Sequence, residues 1–134
     1  MKKVRWGLFF AYCLFIVCYT ILSREIGEHR FDLRFMWAYR EMLIGHPSWK
    51  KDVIQNINNI LFFVPFGLLM PIAKWRTVFI CALFFTLTVE MLQYIGGFGR
   101  AELDDVICNT LGAIIGFWIW NLIRRILTRS SNET

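Results

Sequence analysis

The sequence predicts an all-α polytopic membrane protein: a bundle of four transmembrane helices with an interfacial segment between the first and the second. Three observations lead there. Of 134 residues, 57% are hydrophobic and 19% charged, against about 25% charged in ordinary soluble domains. The apolar residues fall in four blocks long enough to cross a bilayer, and charge gathers at the block ends. The net charge of +5 sits beside these blocks and forms no continuous basic stripe, which excludes nucleic acid as a partner and makes membrane lipid the expected one.

The first block covers residues 6–23, 18 residues without a charge. As a helix it spans about 27 Å of a hydrocarbon core about 30 Å thick. Lys2, Lys3 and Arg5 precede it as they would in a signal peptide, but Leu22-Ser23-Arg24-Glu25 offers no cleavage site, so retention is expected. The second helix is placed at 56–73, with Pro65 expected to kink it. The third is placed at 77–95 and carries Glu90 and Gln93; the fourth is placed at 106–122 and carries Asn109. Between the first two, Phe31 to Ile44 reads as a helix lying at the headgroup level, with Phe31, Phe35, Ala38, Tyr39 and Met42 on one face and Gly45, His46 and Pro47 ending it. No repeat or linker divides the chain, so residues 1–134 are expected to form one domain. Cys13, Cys18, Cys81 and Cys108 lie in apolar stretches without metal-ligand spacing and read as small buried hydrophobes. No metal and no cofactor are expected. His29 and His46 read as solvated or interfacial.

Orientation follows from Lys and Arg in the short flanks. Lys2, Lys3, Arg5, Lys74, Arg76, Arg124, Arg125 and Arg129 share one side if there are four crossings. Both termini are therefore expected in the cytoplasm. On that topology the polar residues of three helices meet near the outer surface: Asn56 and Asn59 of the second, Glu90 and Gln93 of the third, Asp104, Asp105 and Asn109 at the start of the fourth. Asp52, Asn56 and Asn59 would align on a helix that starts early enough, and so would Asp105, Asn109, Gly112 and Gly116. A carboxylate inside a membrane helix costs about 2.5–3.5 kcal/mol at mid-depth, so it needs a partner or a task. Arg100 is the one basic residue between the third and fourth helices and is expected to reach Glu90 or an Asp. The competing readings are plainer: Asn and Gln as interhelical glue, Asp104 or Asp105 as a helix cap, and Gly112-x-x-x-Gly116 as a packing face.

These residues resemble the VanZ-like membrane protein family. Asn59-Ile-Leu-Phe-Phe-Val-Pro65-Phe-Gly67 resembles its N-I-x-x-F-x-P-x-G run, and Glu90-Met-Leu-Gln93 resembles its E-x-x-Q. Arg100, Asp104-Asp105-Val-Ile-Cys-Asn109-Thr-Leu-Gly112 and Gly116 resemble its R…D-D-x-x-x-N-T-x-G-x-x-x-G ending. The resemblance implies a multi-pass protein of the bacterial cytoplasmic membrane, linked to low-level resistance to teicoplanin-type lipoglycopeptides. The expected function is then non-enzymatic and acts through the outer-leaflet polar site, with a lipoglycopeptide or a lipid-linked cell-wall precursor as partner. The alternative is a membrane-embedded enzyme acting on a lipid headgroup or a lipid-linked cell-wall precursor, with Glu90 and Asp104 or Asp105 as acid, base or metal ligands. Pro65, Gly67, Gly112 and Gly116 are the expected kink and packing positions.

Overall fold

A computed structural model describes residues 2–22, 28–72 and 74–130. Four helices are long and apolar enough to cross a membrane: α1 (Lys2–Leu22), α3 (Trp49–Leu69), α4 (Trp75–Gly96) and α5 (Leu103–Ser130). A short helix, α2 (Trp37–Ile44), and two short strands, β1 (Glu28–Asp32) and β2 (Phe98–Glu102), sit in the connections at one end. The chain is a four-helix membrane bundle.

Polar residues are tolerated further along the helices than the apolar blocks suggest. α3 begins at Trp49 rather than at residue 56, which brings Asp52 and Gln55 onto the helix, and α5 runs from Leu103 to Ser130 rather than over 106–122. At 1.5 Å per residue α5 is about 42 Å long, roughly 12 Å more than the hydrocarbon core. The interfacial segment also differs from the sequence expectation. Its helix covers only Trp37–Ile44, and residues ahead of it form β1. Met36 marks the change: its φ of 47° places a non-glycine residue in the left-handed region and breaks the helical run toward Phe35.

β1 and β2 pair in parallel, with Glu28 opposite Phe98, Arg30 opposite Arg100 and Asp32 opposite Glu102. The order helix, strand, helix thus occurs twice, in α1–β1–α3 with α2 inserted and in α4–β2–α5. α4 closes on Gly97, whose φ of 66° lets its N–H reach the carbonyls of Gln93 and Tyr94 before the chain turns into β2.

α3 and α5 run parallel and pack most closely. A Cβ on Gly112 would overlap the Ile60 carbonyl oxygen, one on Gly116 that of Val64, and one on Gly67 that of Ala113. These three glycines let two backbones touch, as small residues do in membrane helix pairs. Pro65 lies within this stretch of α3 and has no N–H to offer the Leu61 carbonyl. The neighbouring Phe62 carbonyl accepts the Tyr12 hydroxyl of α1 at 2.6 Å, which anchors α1 at this level. The core lies in the middle of the bundle, where Phe66 meets Phe9 and Phe85 at ring separations of 4.9 and 5.3 Å and Ile16, Phe63, Val78, Ala82 and Phe117 fill the rest. Large apolar side chains such as Leu14, Leu61, Phe84 and Leu122 point outward, as lipid-facing residues must. Cys18 is among the exposed residues and Cys108 is buried, so the four cysteines do not share one environment.

Candidate functional site

Each spanning helix reverses the direction of the previous one, and the described acidic residues gather at one end while cations occupy both. The C-terminus of α1, the start of α3, the end of α4 and the start of α5 share one end with α2 and both strands. That end holds Glu90, Asp104 and Asp105, all buried within the protein although each is acidic.

The two aspartates occupy the first turn of α5, where carboxylates complement the helix dipole. They then turn to different neighbours. Asp105 Oδ1 accepts from Asn59 Nδ2 at 2.7 Å and from Gln55 Nε2 at 3.4 Å, which ties α5 to α3 above the glycine seam. Asp104 Oδ1 accepts from the backbone N–H of Met36 at 2.6 Å, fixing the left-handed residue that starts α2. On α4, Glu90 Oε2 accepts the Glu102 N–H at 3.0 Å and so holds β2 against the helix. One turn earlier, Thr86 Oγ1 accepts from Asn109 Nδ2 at 2.9 Å, a fully buried bond between α4 and α5. Outside the spanning helices, Asp32 takes the Arg34 guanidinium, with Nε to Oδ1 at 2.9 Å, and these hydrogen bonds raise the Arg34 pKa above its ordinary value.

The sequence-selected residues therefore divide. Asn59 and Asp105 meet directly; Glu90, Asp104 and Asn109 are each bonded to a group outside the selected set. Asn56 and Gln93 are buried, and Asn56 Nδ2 and both amide atoms of Gln93 have no hydrogen-bond partner among the described residues. The same holds for Asp104 Oδ2. Arg100 stands in β2, and its side chain lies outside the described residues, as does that of His29. The pairing of Arg100 with Glu90 or Asp105 therefore falls outside them too. Pro65, Gly67, Gly112 and Gly116 lie along the α3–α5 seam.

Gln55, Thr86, Glu102 and Met36 were not among the selected residues. Gln55 stands four residues before Asn59, and Thr86 four before Glu90, so helical spacing could have found both. Glu102 and Met36 contribute backbone N–H groups, for which residue type gives no signal.

Beside Asn59 a cleft of about 530 Å³ opens between α1 and α3. Tyr12, Tyr19, Thr20 and Asn58 give it hydrogen-bonding groups, and Leu61 and Phe62 give it an apolar wall. A second, smaller cavity of about 100 Å³ lies over Glu90, between Leu33, Leu87 and Leu103. The arrangement sets hydrogen-bonding groups beside an apolar wall. Such a site can hold an amphiphile by its polar part.

A family profile described as VanZ/LLP1 matches residues 9–124. Over 72 residues the chain is 34% identical to Protein VanZ of Enterococcus faecium; that alignment covers 51% of this chain and 45% of the relative. The chain thus spans about half the length of the curated relative it matches. No solved structure matches. The profile takes in the α3 run that ends in Gly67, Glu90 and Gln93 on α4, and the paired aspartates and glycines of α5, and on that extent this chain belongs to the VanZ/LLP1 family.

Proposed function

We propose that this protein is a non-enzymatic component of the bacterial cytoplasmic membrane that lowers susceptibility to teicoplanin-type lipoglycopeptides. Its acidic end faces outward and its termini face the cytoplasm. The observation that carries this reading is the cleft between α1 and α3, with Asn58 and Asn59 on one side, two tyrosines opposite and an apolar wall leading along the helices. A lipoglycopeptide, or the lipid-linked cell-wall precursor it binds, presents polar groups at the membrane surface and an acyl chain below. A cleft of mixed polarity at that depth suits either. Asp105 fixes the Asn59 amide, so the floor is presented in one orientation.

Deleting the gene should lower resistance to teicoplanin selectively, with vancomycin as the comparison. Restoring the Asn59→Leu variant at normal membrane abundance should fail to recover it. Equal shifts for both drugs, or no shift for either, would reject the proposal. Cysteine labelling at positions 48 and 131 should report opposite faces of the membrane; labelling from one face would remove the site from the outer leaflet.

A further inference from the structure

The opposite end of the bundle carries a feature that the acidic site does not use. There α4 starts and α5 ends, and the two helices leave a groove of about 440 Å³ between them. Lys74, Arg76, Arg124 and Arg125 line it together with Trp75 and Trp118. Among the described residues no carboxylate lies within ion-pair range of any of these four cations. Arg124 donates to Asn121 Oδ1 at 3.3 Å, and Arg76 leans over the Trp75 ring. Four positive groups beside two exposed indoles form an anion-attracting rim at interfacial depth.

The same seam continues toward mid-membrane as an apolar groove of about 310 Å³, lined by Phe79 and Leu83 of α4 and by Ile107, Leu111 and Ile114 of α5. Spacing links the two grooves. On α5, residues 107, 111, 114, 118, 121 and 125 recur every three or four positions and so lie on one face. On α4, Arg76, Phe79 and Leu83 do the same. From Arg125 to Ile114 is roughly 16 Å along the helix, about half of a 30 Å hydrocarbon core. One surface therefore passes from cationic to aromatic to apolar over the depth of one leaflet.

We infer that the α4–α5 seam is a binding site for one anionic phospholipid, its phosphodiester between Arg76 and Arg125 and an acyl chain along Phe79, Leu83, Leu111 and Ile114. The phosphate supplies the charge that these cations lack within the described chain. The apolar groove sets a lipid apart from a soluble phosphate, which would use the rim alone. Indole N–H groups at the boundary suit the glycerol and ester level, where one side of the ring is wet and the other apolar.

The test is native mass spectrometry of the purified full chain with equimolar phosphatidylglycerol and phosphatidylcholine of identical acyl chains. Wild-type protein should retain one phosphatidylglycerol per chain, favoured at least roughly tenfold, since cations near the surface each add to anionic-lipid attraction. The R76Q/R125Q variant should bring the two lipids close to parity. Wild-type protein that retains both lipids equally overturns the proposal without any variant, so a poorly folding variant does not shelter it. Displacement of the lipid by millimolar inorganic phosphate would make the rim a soluble-anion site and overturn it. A lipid-free dimer as the dominant species would do so too, by giving the seam to a second copy.

Discussion

The two ends of the bundle handle charge in opposite ways. At the acidic end Glu90, Asp104 and Asp105 are buried, and each accepts a hydrogen bond from another element: β2, the start of α2, or α3. At the basic end Lys74, Arg76, Arg124 and Arg125 are exposed around an open groove. The difference follows from side-chain length. A carboxylate on a short stem stays beneath the loop elements packed over this end, and their N–H groups satisfy it internally. An ammonium or guanidinium on a long stem can extend to the interface and leave its stem in the apolar layer. Arg5 is the instructive exception. It turns inward, donating to the Leu68 carbonyl at 2.9 Å and the Met70 carbonyl at 3.2 Å, and stacks 3.9 Å from the Trp120 ring. It satisfies carbonyls left over where α3 stops.

The largest expected effect comes from the seam that fixes both ends relative to each other. Gly116→Leu should force α3 and α5 apart, because the obstacle is the Val64 carbonyl rather than a side chain that could rotate. Overpacking typically costs about 1–3 kcal/mol, and a backbone obstacle belongs at or above the top of that range. The yield of folded protein in detergent should collapse; a normal yield would show that the seam is looser than its geometry.

Next comes the acidic end. Asp105→Ala strands the Asn59 and Gln55 amides, at about 1–3 kcal/mol for a buried unpaired group. A thermal unfolding series should rank Asp105→Ala below Asp105→Asn, since the amide oxygen can still accept from Asn59. Asp104→Ala should act locally, raising hydrogen exchange at Met36 and through α2 while leaving the α3–α5 seam protected. Uniform loss of protection would mean that the loop and the bundle unfold together.

Smaller effects belong to the basic end, where they separate the inward arginine from the outward ones. Arg5→Ala should cost about 1–2 kcal/mol through the released carbonyls and the lost ring stacking. Arg125→Gln should change stability by less than about 0.5 kcal/mol, as substitutions at exposed positions do. Equal losses from the two would erase the distinction between them.

Hydrophobic blocks were enough to read four spanning helices from the sequence, because a membrane helix must be apolar over a length that the bilayer sets. Gly112 and Gly116 were legible as a packing face, but their partners Ile60 and Val64 were not, since the contact is to carbonyl oxygens common to every residue. The strands escaped notice for a related reason. Glu28–Asp32 and Phe98–Glu102 show no run of β-branched residues, and their pairing joins segments far apart in the chain. At the site, polar type and spacing singled out, among other residues, Asn59 and Asp105, which bond each other at 2.7 Å. They could not foresee that Asp104 would be turned toward a loop amide while Asp105, one residue later, faces α3. Adjacent residues on a helix point about 100° apart, so a paired acidic motif serves two directions.

The parallel contact of α3 with α5 also constrains how the protein is made. These two helices are separated in the chain by α4, so Gly112 and Gly116 cannot meet the α3 backbone until α5 has emerged and entered the bilayer. Until then α3 waits with Gly67 and the Ile60 and Val64 carbonyls uncovered and a proline-weakened backbone, supported by the Tyr12 hydroxyl of α1. Assembly is thus gated by translation of α5, and a ribosome stalled before Leu103 would leave a membrane-inserted but unlocked intermediate.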